Sequence, residues 1–200
     1  MPTIPQIPSD ISFQAAIGAT QQLLDVVATL DSSASGGASP GGPGPNGDVA
    51  AQIEQAIATL LEQLPGARGF FVAYLTGDHA AATPPHPSIL AGLRRSPQQS
   101  TTMLTKNLAM STAMALVHRR QNNAEMAQQS MQVRSRTMAL IAALGLPELS
   151  SELAQLQAAA SDADNAYTPF LQRWNYDAEQ RQHIHDAAAA ALAQRPTEAE

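Results

Sequence analysis

The sequence contains no cysteine and few aromatic residues. Without cysteine, the chain cannot form disulfides, thiolate metal sites, thioether-linked cofactors or a cysteine nucleophile. Aromatic residues make up 4% of the 200 residues, and much of the 44% hydrophobic fraction is alanine, which buries little area. The core must therefore be built from Leu, Ile, Val and Met, in one domain or a small bundle with tails.

Long apolar runs are also missing. No stretch approaches the ~20 apolar residues that a membrane-spanning helix requires. Residues 1–8 hold three prolines but neither the basic nor the apolar region of a secretory signal. We therefore expect a soluble, cytoplasmic protein whose residues 1–8 form an extended arm.

Basic residues are scarce at both ends of the chain and concentrated in its middle. Residues 1–78 and 148–200 each have a net charge of −6, whereas residues 79–147 have a net charge of +6, with histidine counted as neutral. The central basic residues are Arg94, Arg95, Lys106, Arg119, Arg120, Arg134 and Arg136. This pattern is expected when helices of one bundle neutralise each other, and also when a basic surface binds an acidic partner.

Apolar periodicity and capping residues predict an all-α protein, a compact helical bundle of about five to seven helices. Residues 9–30 form the first helix, and residues 31–48, rich in glycine, proline and serine, predict a flexible linker after it. The first helix is thus tethered, and it either docks on the main body or reaches a partner. Residues 49–195 form the helical bundle domain, and residues 196–200 form a frayed tail.

Three shorter segments carry specific expectations. The strand-like run 70–75 has no second β-rich run to pair with, so we interpret it as a short buried helix at the centre of the core. A short helix beginning at Pro169 is expected to bury Phe170, Leu171 and Trp174. Asp177, with Gln180 three residues later, predicts a capping box at the start of the last helix.

Residues 96–144 allow two interpretations. In a continuous helix, residues spaced seven apart would form a row along one face. They are Met103, Met110, Val117, Ala124, Met131 and Met138. Such a helix would span roughly 70 Å, too long for a compact chain of this size. The polar residues 121–123 can instead break the helix and cap a second one at Ala124, giving an αα-hairpin, which we prefer.

The polar middle of the chain is the best candidate for a binding site. On a continuous helix, His118, Asn122 and Glu125 would share one face. With a turn, His118, Arg119 and Arg120 would gather at one end of a hairpin. Paired arginines suit a phosphate, a carboxylate or an acidic partner, and the alternative is that they pair with acidic residues of the flanking helices. The candidate ligand- or partner-binding residues are His118, Arg119, Arg120, Asn122, Glu125, Arg134 and Arg136.

A metal site has weaker support. Glu179, His183 and Asp186 fall on one helical face beside His185, but an exposed polar face explains this spacing equally well. The di-iron bundle pattern needs Glu-x-x-His pairs on two helices, and the chain contains none. We therefore predict no metal, no cofactor and no catalytic residue.

These observations favour a non-catalytic helical adaptor, scaffold or assembly factor. It would bind a protein partner, acidic or a second copy of the chain, through the basic, Met-rich central region, the tethered first helix, or both. Two alternatives are a small anionic ligand at His118, Arg119 and Arg120, and a metal- or haem-dependent enzyme that uses His118 or His183. Nucleic acid is disfavoured because residues 79–147 contain no Phe, Tyr or Trp and no recognisable module.

Overall fold

A computed structural model describes residues 3–34, 45–79 and 84–194, and within them it holds nine α-helices and no strand. The predicted all-α class is confirmed. The described residues contain more helices than the expected five to seven, and two of them, α4 and α8, are short, with eight and six residues. The helices are α1 (Phe13–Ala34), α2 (Pro45–Leu61), α3 (Leu64–Thr76), α4 (Pro87–Arg94), α5 (Pro97–Arg120), α6 (Ala124–Leu144), α7 (Glu148–Ala160), α8 (Thr168–Arg173) and α9 (Ala178–Ala193).

The predicted connecting segments are only partly described. Most of the predicted linker 31–48 lies outside the described residues, and so do the predicted tail 196–200 and the first two residues of the arm. Residues 3–8 have no regular secondary structure, and residues 4–7 line an open groove together with Gln52, Gln55 and Thr59 of α2. Helix α1 ends at Ala34 and α2 begins at Pro45, so both reach further into the segment than predicted.

The chain divides into two compact units, Met1–Ser100 and Thr101–Glu200. The division falls inside the predicted bundle domain of residues 49–195. Helix α5 begins in the first unit and ends in the second. Within the described residues, no helix is both long and apolar enough to cross a membrane.

The first unit is organised around α3, which packs against both α1 and α2, while α4 packs against α2. The strand-like run of the sequence lies in α3, so its prediction as a buried helix is confirmed. Phe70, Phe71 and Tyr74 are among its fully buried side chains. The ring of Phe70 stacks on Tyr74 at 5.8 Å and meets the edge of Phe71 at 5.3 Å. These three aromatic side chains provide much of the buried area that the alanine-rich composition lacks.

Helices α1 and α3 approach each other closely at a glycine. A Cβ atom added at Gly69 would lie 2.5 Å from the Cβ of Ala16 and 2.8 Å from the carbonyl oxygen of Phe13. Only glycine at this position allows the two backbones to come so near. The first helix is therefore docked in the first unit, which is one of the two roles expected for it.

The second unit contains contacts of α7 with α8 and α9, and of α6 with α9. Its core cluster also includes residues of α5 and combines small and large side chains: Ala109, Ala113, Leu156, Ala159, Ala160, Tyr167, Leu171, Tyr176, Ile184 and Ala188. Half of these residues are alanine. Small alanine side chains therefore share this core with the larger leucine, isoleucine and tyrosine side chains that pack beside them.

The chain turns between α5 and α6, as preferred from the sequence. Helix α5 ends at Arg120, and Asn122 adopts a left-handed backbone conformation with φ of 56°. The Asn123 side chain then caps α6, because its Oδ1 accepts a hydrogen bond from the Met126 backbone N–H at 3.1 Å. The row that repeats every seven residues is therefore divided between two helices. The interpretation as one continuous helix, with His118, Asn122 and Glu125 on a shared face, is wrong.

The expectation that Trp174 is buried is also wrong. Its side chain is 50% exposed. Helix α8 ends at Arg173, so Trp174 lies just beyond the helix, whose buried residue is Leu171. The neighbouring core position is filled instead by Tyr167 and Tyr176, whose rings meet the partly buried Phe170 edge-on.

The glycine contact between α1 and α3 predicts opposite effects for two matched substitutions. Gly69→Ala should lower the free energy of unfolding by about 1–3 kcal/mol, because the added methyl overlaps Ala16 and the Phe13 carbonyl. Gly18→Ala, in α1 with nothing within 4 Å of the added Cβ, should raise it by about 0.5–1 kcal/mol through helix propensity. Urea denaturation of both variants tests this, and equal effects of the two would contradict the docking of α1 on α3.

Candidate functional site

The seven predicted site residues are spread along the chain rather than gathered in one pocket. His118, Arg119 and Arg120 occupy the end of α5, and Asn122 lies in the turn. The other three, Glu125, Arg134 and Arg136, lie on α6. Because a helix turns about 100° per residue, side chains two positions apart leave it in nearly opposite directions. Arg134 and Arg136 accordingly differ: Arg136 is buried, whereas Arg134 is half-buried in the wall of a groove.

The guanidinium of Arg120 is engaged inside the second unit. It forms ion pairs with the carboxylates of Asp177 and Glu179 at the start of α9, including a contact of 3.3 Å between Nη2 and Asp177 Oδ1. Hydrogen bonding to Arg120, helped by the Gln180 backbone N–H, holds the pKa of the Asp177 carboxyl below its ordinary range. In return, the two carboxylates raise the pKa of the Arg120 guanidinium. This contact therefore ties the end of α5 to the start of α9.

Asp177 has a second role in the same place. Its side chain accepts a hydrogen bond from the Gln180 backbone N–H, and the Gln180 side chain accepts one from the Asp177 backbone N–H, each at 2.9 Å. This is the capping box expected from the sequence, and that prediction is confirmed. One carboxylate thus both caps α9 and pairs with Arg120.

Central arginines pair with both acidic ends of the chain. Arg120 contacts acids of the C-terminal segment, while Arg95 contacts Glu54 of the N-terminal segment at 3.4 Å. Part of the alternating charge pattern is therefore neutralised within the fold. An anion site at the end of α5 would have to compete with Asp177 and Glu179 for Arg120.

The remaining residues at the end of α5 and the start of α6 do not converge on a shared ligand position. Arg119 is exposed and has no ion pair among the described residues. His118 is half-buried, and its Nδ1 has no hydrogen-bond partner within the described part of the chain. Glu125 accepts a hydrogen bond from Gln129 at 3.5 Å. Asn122 serves the turn through its left-handed backbone.

One face of α6 forms an open groove with a volume of ≈ 460 Å³. Its lining consists of Met131, Arg134, Ser135, Met138, Ala139 and Ala142, together with Gln194 just after α9. The spacings of three, four, seven and eleven residues from Met131 follow one side of α6 over three turns, about 16 Å. Met131 is 43% exposed, and no ion pair is found for Arg134 among the described residues. The sequence drew attention to Met131, Arg134 and Met138. The contribution of Gln194 to the same groove could be found only from the tertiary structure.

The polar residues of α9 make separate contacts. His183 Nε2 lies 4.0 Å from Glu179, which also pairs with Arg120. His185 contacts Asp186 at 3.1 Å and Gln157 at 3.2 Å, and its hydrogen bond lowers the pKa of Asp186. No group of three or more His, Asp or Glu side chains in the described part of the chain is arranged to hold a metal ion.

Comparison with known proteins places the chain in a family. Residues 46–191 match the family described as "Uncharacterised conserved protein UCP020893". The chain belongs to this family. The region shared with UCP020893 begins in α2 and ends in α9, so it includes the Arg120–Asp177 contact and the α6 residues of the groove, whereas α1 precedes it and Gln194 follows it. No curated protein and no solved structure matches the chain.

The Arg120 contact predicts a stability difference that depends on pH. Arg120→Gln should lower Tm at neutral pH and low salt, and the loss should shrink at high salt, which screens exposed charges. The lowered pKa of Asp177 means that the stabilisation is present above its ordinary value of 3.8 and is lost as the pH falls through the lower folded value. Thermal unfolding of both proteins between pH 7 and pH 2 measures this.

Arg119→Gln is the matched control, because it removes the same charge from the adjacent, unpaired position. It should leave Tm nearly unchanged across the pH range. An equal loss of Tm in both variants, or a loss for Arg120→Gln that persists below the Asp177 pKa, would show that the ion pair is not the cause.

Proposed function

We propose that this protein is a non-catalytic helical adaptor, scaffold or assembly factor that binds a protein partner through the groove of α6. The proposal keeps the cytoplasmic location expected from the sequence. The observation that carries it is the groove itself, in which two methionines and a half-buried Arg134, with no ion pair among the described residues, lie along one face of α6.

Exposed methionines of the central helices support a role in protein binding. Met114, Met126 and Met131 are 38%, 39% and 43% exposed, and all three belong to the central helices α5 and α6. Methionine side chains are flexible and polarisable, so they adapt to the shape of a partner. Methionine and arginine are also enriched in protein interfaces relative to the rest of a protein surface.

The first helix contributes less to this proposal than the sequence suggested. Helix α1 packs on α3 within the first unit, with Leu23, Leu24 and Val27 buried. Its apolar face is therefore used by the fold. The proposal for partner binding rests on the central helices alone.

A photo-crosslinking experiment tests partner binding. A benzophenone amino acid replaces Ser135, an exposed residue in the groove, in the cells that naturally make the protein. We expect one adduct of defined mass with another protein. Adding Met131→Glu to the same chain should abolish the adduct, because a carboxylate in place of the thioether removes apolar contact in the groove.

Ser151, exposed on α7 in the same unit, provides the matched control position. The same photo-reactive residue at position 151 should give no adduct. Equal adducts at both positions, no adduct at position 135, or only a cross-link between two copies of this chain would contradict an adaptor role for the groove.

A further inference from the structure

Arg134 differs from three other arginines of the chain, because they form ion pairs and it has no ion pair among the described residues. Arg95, Arg120 and Arg181 each pair with a carboxylate of the same chain, with Arg181 at 2.8 Å from Asp162. No such partner is found for Arg134 among the described residues, although its side chain is half-buried. A guanidinium in this position has given up part of its contact with water without gaining a counter-ion from the part of the chain that the structure describes.

The surroundings of Arg134 are mostly apolar. Met131 and Met138 lie on the same face of α6, one turn before and one turn after it, and Ala139 and Ala142 continue the lining. Ser135 and Gln194 are neutral, so no acidic side chain of the described residues lines the groove. An ion pair formed against such a surface is shielded from water, which strengthens the attraction relative to an exposed pair.

The shape of the groove indicates the kind of ligand. It is open and follows α6 for three turns, whereas small-molecule sites enclose most of their ligand. A groove that runs along one helix and is lined mostly by apolar residues is typical of binding to a second, amphipathic helix. The side chains of that helix enter the groove at spacings of three, four and seven residues. The small alanine residues at one end leave room for larger side chains of the bound helix.

We infer that the α6 groove binds an amphipathic helix of a protein partner, which places apolar side chains on Met131 and Met138 and a carboxylate on Arg134. The inference rests on the proposed function and adds the chemistry of the partner to it. The two methionines provide adaptable apolar contact, and Arg134 selects for Asp or Glu at the centre of the bound helix.

A helical peptide library tests this selection on the full chain. Its members carry Leu, Met or Phe at three positions with i, i+4 and i+7 spacing, and every amino acid at the intervening positions that would face α6. Selection on the natural chain should raise the ratio of Asp and Glu to the uncharged residues at one central position by about tenfold, the factor that corresponds to about 1.4 kcal/mol. Selection on Arg134→Glu should enrich Lys and Arg at the same position.

Two variants serve as controls for the charge effect. Arg119→Glu makes the same change at an exposed arginine outside the groove, and it should still select acidic peptides. Arg134→Gln removes the charge without reversing it, so it should select neither sign. It also provides a milder variant if Arg134→Glu lowers Tm.

Methyl NMR locates the bound peptide. With ¹³C-methyl methionine in the full chain, a selected acidic peptide should shift the signals of Met131 and Met138, assigned through Met131→Leu and Met138→Leu. The signal of Met103, in α5, should stay in place. Acetate and inorganic phosphate at the peptide concentration should shift neither groove signal.

Three results would overturn the inference: no charge preference on the natural chain, the same preference on Arg134→Glu, or equal shifts from acetate or phosphate. The cross-link at position 135 separates this failure from that of the proposed function. A specific adduct with no acidic preference would leave partner binding standing and remove the carboxylate. The absence of the adduct would remove partner binding itself.

Discussion

Close approach of helices through small residues is the constraint on which both units depend. In the first unit, Gly69 lets α3 meet Ala16 of α1, and Gly92 lets α4 meet α2, where an added Cβ would lie 2.7 Å from that of Ile57. In the second unit, half of the residues in the core cluster are alanine, so small side chains also make up much of the contact surface there. Each contact gains little energy by dispersion, but helices held this close make many such contacts. A chain with few aromatics and no disulfides can build a core in this way.

Arginines of the basic central segment are found in two kinds of surroundings in the structure. Arg95 and Arg120 are neutralised by acids of the two ends of the chain, and these pairs hold elements of each unit together. Arg134 lies on a different surface, between methionines, without an internal counter-ion among the described residues. The same residue type thus serves the fold in one position and is available to a ligand in another, which is why net charge by segment could not separate the two.

Local signals in the sequence predicted local structure well. The caps at Asn123 and Asp177 depend on a side chain and a backbone N–H three residues away, so the sequence contains all the information they need. The helix at Phe70, Phe71 and Tyr74 followed from the lack of a pairing strand. The exposure of Trp174 and the contribution of Gln194 to the groove depended on where separate helices end and meet. Spacing within one helix does not determine such contacts.

The exposed position of Trp174 makes the second unit spectroscopically distinct from the first. It is the one tryptophan of the sequence, whereas the large aromatic side chains buried in α3 are phenylalanine and tyrosine. Indole fluorescence therefore reports on the surroundings of Trp174 in the second unit, while far-ultraviolet circular dichroism reports on helices of both units. Comparing the two signals during denaturation would show whether the units unfold as one cooperative body or in separate steps.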